Sequence, residues 1–173
     1  IEHGTEEQLS TVQSIIKQVR TFGDQALYEL TEKLDRVVLT KLKVSERELS
    51  EAYEKIDGQM LAIIREAAEN IRFYHEQQKG QSWFVTKEDG TVLRQKITPL
   101  DAVGVYVPGG TAAYPSSVLM GVIPAKVAGV ERIVLISPPQ SDGSLPAGVL
   151  VAAQESGVKE IYKVGGAQAI AAL

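Results

Sequence analysis

The chain has 173 residues, 44% of them hydrophobic, with 18 basic against 22 acidic side chains and no cysteine. That length and apolar content suit one ordinary domain, or one domain with an appendage, built around a real core. A net charge of −4 argues against a general nucleic-acid binder, and the lack of cysteine excludes disulfides, thiolate metal sites and cysteine nucleophiles from this sequence and fits a reducing compartment.

The start, Ile1-Glu2-His3-Gly4-Thr5-Glu6-Glu7, is polar and acidic, unlike a signal peptide. Thr5 with Gln8 predicts a capping box, and Leu9, Val12, Ile15, Ile16 and Val19 follow at helical spacing. Phe22-Gly23 should end that helix and Asp24 cap the next, with Ala26, Leu27, Leu30 and Leu34 as its apolar stripe. Ser45 with Glu48 predicts a second capping box and a helix through about Lys55. After the Asp57-Gly58 break, a long helix from about Gln59 to Gln78 should bury Leu61, Ile64, Ala68, Ile71 and Tyr74. Trp83-Phe84-Val85, Asp89-Gly90 and Val92-Leu93 then read as a hairpin.

The composition changes near Thr98-Pro99. Residues 1–97 hold 31 of the 40 charged side chains and no proline, whereas 98–173 hold all seven prolines and ten of the fifteen glycines. Two parts are therefore expected, 1–97 and 98–173. The second alternates: a strand at Val103–Val107, a helix at Ser116–Ala128, a strand at Arg132–Ile136, a helix at Leu145–Ser156, a strand at Glu160–Val164, and a helix from Ala167. Ala128-Gly-Val-Glu-Arg-Ile-Val is echoed 28 residues later by Ser156-Gly-Val-Lys-Glu-Ile-Tyr, so a helix twice ends on glycine before a strand. This is the grammar of βαβ units in a parallel sheet, an α/β fold. No run of about 18 apolar residues occurs, so no membrane-spanning helix is expected.

Parallel sheets bind ligands outside the carboxyl ends of their strands. Gly109-Gly110 and Gly165-Gly166 each follow a predicted strand, so both should lie on that edge. Glycines there let a ligand approach the backbone, and a following helix N-terminus favours an anion. They also suit a tight strand-to-helix turn, and the residues alone leave both readings open. Tyr106 can stack on a flat ring or hydrogen-bond through its hydroxyl, or be a core residue with its hydroxyl at the surface. Gln168 can contact a ligand or cap a helix. The only histidines are His3 and His75, and His75 is expected as a solvated residue on a helix face. No spacing suits zinc, and the ligand edge holds no general base or nucleophile.

Val103-Gly-Val-Tyr-Val-Pro-Gly-Gly-Thr111, Pro115-Ser-Ser-Val-Leu-Met120, Pro124-Ala-Lys-Val-Ala-Gly129, Ser137-Pro-Pro139 and Val164-Gly-Gly-Ala-Gln-Ala-Ile-Ala-Ala-Leu173 together resemble the histidinol dehydrogenase family. Phe22-Gly23-Asp24-Gln25-Ala26-Leu27 and Leu42-Lys43-Val44-Ser45 add a weaker likeness. The resemblance implies an NAD-dependent, zinc-containing homodimer of histidine biosynthesis, placed in the cytoplasm, that oxidises L-histidinol to L-histidine in two steps through the aldehyde. It implies a fold related to aldehyde dehydrogenases: a helical N-terminal region, then an incomplete Rossmann-like domain. Tyr106 and Gln168 then contact NAD, flanked by Gly109, Gly110, Gly165 and Gly166. The family's zinc ligands and its glutamate–histidine acid/base pair map to no residue here, so no catalytic and no metal-binding residue is expected in this chain. The isoleucine start and the apolar end at Leu173 predict a piece of a longer protein, inactive alone. Two alternatives are another oxidoreductase of the aldehyde dehydrogenase class and a non-catalytic assembly module.

Overall fold

The computed structural model describes residues 5–109 and 113–173, so Gly110 and His3 lie outside the described residues. Helix α1 (Glu6–Phe22) opens on the expected reciprocal cap: the Gln8 N–H donates to Thr5 Oγ1 at 3.3 Å and the Thr5 N–H to Gln8 Oε1 at 3.0 Å. The junction to α2 (Asp24–Asp35) corrects one expectation, because Gly23 and not Asp24 caps that helix. At φ 56°, Gly23 closes α1 on the Val19 carbonyl at 2.9 Å and accepts the Ala26 N–H at 3.1 Å. A single glycine at positive φ thus serves both helices and leaves Asp24 as the first residue of α2, where its charge faces the positive helix end.

Helix α3 (Glu46–Glu54) carries the Ser45–Glu48 capping box, and α4 (Gly58–Glu76) starts on Asp57, whose Oδ1 accepts the Met60 N–H at 2.6 Å. Ile64 and Ala68 of α4 are buried and Leu61 and Ile71 half-buried, but Tyr74 is exposed, contrary to its expected place in the core. Leu9, Val12 and Leu34 are also exposed, so the apolar stripes of α1 and α2 run beyond the surface that the described chain covers. Strands β1 (Trp83–Thr86) and β2 (Val92–Gln95) form the expected antiparallel hairpin, turned at Gly90 with φ 82°.

The second part of the chain alternates as its sequence predicts. Strands β3 (Ala102–Tyr106), β4 (Arg132–Ser137) and β5 (Glu160–Lys163) form a parallel sheet in the order β3-β4-β5, linked by α5 (Pro115–Val127) and α6 (Ala147–Glu155), with α7 (Gly166–Ala172) following. The echoed glycines end their helices at positive φ, Gly129 at 90° and Gly157 at 83°.

The period-2 alternation of the strands divides the core in two. Ile133 and Leu135 of β4 and Ile161 of β5 face α3, α4, α5 and α6. Val134, Ile136 and Tyr162 face α1, α2 and α7. The early helices therefore share both cores with the sheet, even though the composition changes between β2 and β3. Gly121 lets α5 lie close on β3, since a Cβ there would stand 2.7 Å from Val105 Cγ1. The outer edge of β5 is covered antiparallel by residues 42–44: the Val44 N–H donates to the Ile161 carbonyl at 2.9 Å and the Lys163 N–H to the Leu42 carbonyl at 2.7 Å. No described helix is long and apolar enough to cross a membrane.

Candidate functional site

Because all three strands are parallel, their carboxyl ends gather on one edge. Tyr106 ends β3, and Gly109 follows three residues on. Ser137-Pro138 ends β4, the middle strand. Val164, Gly165 and Gly166 follow β5. The structure thus brings Tyr106, Gly109, Gly165, Gly166 and Gln168 to the same edge.

Tyr106 is 39% exposed, and its side chain crosses the end of the middle strand. Its hydroxyl accepts a long hydrogen bond, 3.4 Å, from the Gly166 N–H. The phenol therefore ties the first strand to the turn after the third.

Gln168 lies almost fully buried, 1% exposed, in the first turn of α7. It makes no capping hydrogen bond, which removes the helix-cap reading. Its Oε1 has no hydrogen-bond partner. Leaving a buried acceptor unpaired costs about 1–3 kcal/mol. Thr31 Oγ1 and Asp35 Oδ2 on α2 are also unpaired, but among these three only Gln168 stands at the carboxyl edge.

The glycines have different reasons for being glycine. Gly166 holds φ 64°, and a Cβ there would stand 2.6 Å from Gln168 Oε1. Gly165 holds φ −125°, which any residue adopts, so its requirement is for space. That space belongs to Pro138: a Cβ on Gly165 would stand 2.5 Å from Pro138 Cβ, and one on Gly109 would overlap Pro138 Cγ. Sequence reasoning missed Pro138, although Ser137-Pro138-Pro139 directly after a strand was visible.

The charged groups lie elsewhere or are paired. At the opposite, amino-terminal edge Arg132 grips Glu160 through bonds of 2.8 and 2.9 Å, holding that carboxyl below its ordinary range. Glu155 is held low by Arg65, at 2.8 Å, and Tyr53 also donates to it at 2.8 Å. Burial, then this bond to Glu155, pushes the Tyr53 phenol up to about 12. Lys163 reaches Glu48 at 2.8 Å; burial pushes Glu48 up, but hydrogen bonds from Lys163 and Ser45 outweigh it and leave its carboxyl low. His75 is half-buried rather than solvated, with Nδ1 2.7 Å from Gln78 Oε1, and it lies far along the chain from the edge. Among the described residues no three His, Cys, Asp or Glu side chains come together as metal ligands. A cavity of about 350 Å³ opens between Asp24, Gly104, Arg132 and Leu173 on the α2 and α7 side, and Tyr106, Gly109, Gly165, Gly166 and Gln168 do not line it.

The comparisons with known proteins agree with one another. The family model described as histidinol dehydrogenase matches residues 2–173. Histidinol dehydrogenase from Geobacillus kaustophilus is 68% identical over all 173 residues, and that from Bacillus subtilis 61%. The chain spans only 41% and 40% of the length of these two relatives. The crystal structure of histidinol dehydrogenase from Elizabethkingia anophelis superposes with a TM-score of 0.93 at 33% identity, covering 99% of this chain and 40% of that one. With both glycine motifs inside the matched region, the chain belongs to the histidinol dehydrogenase family.

Proposed function

We propose that this chain supplies the cofactor-holding edge of an NAD-dependent histidinol dehydrogenase, with residues 98–173 as the NAD-binding part and residues 1–97 as its support. The observation that carries the reading is the unpaired, buried Oε1 of Gln168 beneath Gly166, at the same edge as the half-exposed Tyr106. An orphaned acceptor is the group that a donor on a ligand stabilises on binding. Tyr106 offers a phenol face for a flat ring and a hydroxyl for a hydrogen bond. Gly109, Gly165 and Gly166 keep side chains away from the backbone at that point, and Gly110 belongs to the same proposal from sequence.

NAD, when bound, supplies the hydride acceptor for each of the two oxidations, with two NAD consumed, that take L-histidinol through the aldehyde to L-histidine in histidine biosynthesis. This chain's residues bind and orient that acceptor. The proton is to be taken by a base outside this segment, and Glu48, Glu155 and Glu160 are each held in a structural ion pair. The described residues do not fit zinc. The whole enzyme is proposed to be a cytoplasmic homodimer with L-histidinol as its substrate.

The test uses a full-length histidinol dehydrogenase carrying these 173 residues. Calorimetric titration with NAD should show binding that Tyr106→Ala weakens by about tenfold, a loss typical of one stacking and hydrogen-bonding contact. The 173 residues alone should form no NADH from L-histidinol. Unchanged affinity in Tyr106→Ala, or turnover by the short chain, would overturn the reading.

A further inference from the structure

We propose that Pro138 is a positioning residue for the cofactor, a rigid wedge that sets the separation of the two glycine turns; the proposal rests on the reading that NAD binds at this edge. Pro138 follows β4, the middle strand, so it stands between the turn after β3 and the turn after β5. It packs against bare backbone on both sides. A Cβ on Gly165 would lie 2.5 Å from its Cβ and 3.1 Å from its Cα and Cγ. A Cβ on Gly109 would overlap its Cγ and lie 3.3 Å from its Cδ and its carbonyl oxygen.

Conformation does not demand either glycine. Gly165 sits at φ −125°, and Gly109 is not among the residues at positive φ. Both are glycine to admit the proline ring. The motif that reads in sequence as room for a ligand is, at these two positions, room for Pro138.

The choice of proline follows from its function as a spacer. Its ring fixes φ and leaves no side-chain rotamers, so it cannot yield when a ligand presses on the turns. One turn follows Tyr106 and the other leads into Gln168. The width of the ring therefore fixes how far apart the two proposed cofactor contacts stand. Errors of about 1 Å in such positioning cost orders of magnitude in binding or rate.

The experiment is a double-mutant cycle in the full-length enzyme, read as NAD affinity by calorimetry and as KM for NAD against kcat. Gly109→Ala and Pro138→Ala should each weaken NAD binding, by about a hundredfold if the turns shift by about 1 Å, with a larger change in KM for NAD than in kcat. The double variant should bind NAD more tightly than either single variant, because Pro138→Ala removes the Cγ and Cδ that the new methyl at position 109 meets. Gly165→Ala with Pro138→Gly runs the same cycle from the other side, since glycine also removes the Cβ that a methyl at position 165 meets, should Gly109→Ala fail to fold. If the losses in both cycles simply add, the glycines are bare for the ligand itself and the wedge is wrong, while the NAD reading stands. If Tyr106→Ala weakens NAD but every Pro138 and glycine variant binds like wild type, the wedge alone is again wrong. If Tyr106→Ala also binds like wild type, the NAD edge fails and the wedge with it.

Discussion

The two ends of the three-stranded sheet are built differently. At the amino-terminal edge, Arg132 and Glu160 meet side by side through two short bonds, which satisfy both oxygens of the carboxylate within the chain. At the carboxyl edge the described residues form no ion pair from strand to strand, but there are two bare turns packed on a proline, a phenol bridging 60 residues of sequence, and a buried amide oxygen with no partner. A satisfied end serves folding. An end that leaves a buried acceptor unpaired gives up stability, and a ligand that donates to it recovers that energy on binding.

The largest perturbation should strike both ends together. Leu135 is fully buried in the middle of β4, so Leu135→Ala should cost about 2–5 kcal/mol in urea denaturation and weaken NAD binding as well. Gly166→Ala should separate the ends. Its φ of 64° and the 2.6 Å approach to Gln168 Oε1 predict a loss of about 1–3 kcal/mol, with NAD affinity falling much further than in Leu135→Ala variants of equal stability.

A third, smaller effect concerns pH and leaves the carboxyl edge alone. Folding raises the Tyr53 phenol from 10.0 to about 12, so its stabilising contribution is complete below pH 10 and is lost as pH rises through about 12. In Tyr53→Phe the pH dependence of the melting temperature between 10 and 12 should flatten, with NAD affinity unchanged; an unaltered profile would contradict the assignment. The smallest effect is expected at the amino-terminal edge. Arg132→Ala removes an exposed ion pair and should give a slight, salt-sensitive loss of stability and no change in KM for NAD. A large change in KM there would erase the distinction between the ends.

Much of the scaffold was legible because its signals are local. The capping boxes at Thr5 and Ser45 and the helix-ending glycines at 129 and 157 are each decided within a few residues, and the structure forms all four. The cap at Asp24 was misread because a positive-φ Gly23 can close one helix and open the next without any side chain. Tyr74 is exposed against expectation, and Leu9 and Leu34 lie exposed on their apolar stripes, because helical spacing gives a face but not its cover. At the site, parallel βαβ order placed the glycine turns and Tyr106 on one edge. Three facts there could not be read locally: that Gln168 is buried and unpaired, that the Tyr106 hydroxyl meets Gly166, and that Pro138 fills the space beside Gly109 and Gly165. Each depends on which strands become neighbours, a contact between residues tens of positions apart.

The central claim is that the carboxyl edge trades stability for cofactor binding, and Gln168 tests it most directly. Gln168→Met keeps the length of the side chain and removes the unpaired oxygen. Titrated with NAD in the full-length enzyme, this variant should bind about tenfold more weakly, the loss expected for one buried hydrogen bond, while its melting temperature stays at or above that of the wild type. Wild-type affinity for NAD in Gln168→Met would contradict the account.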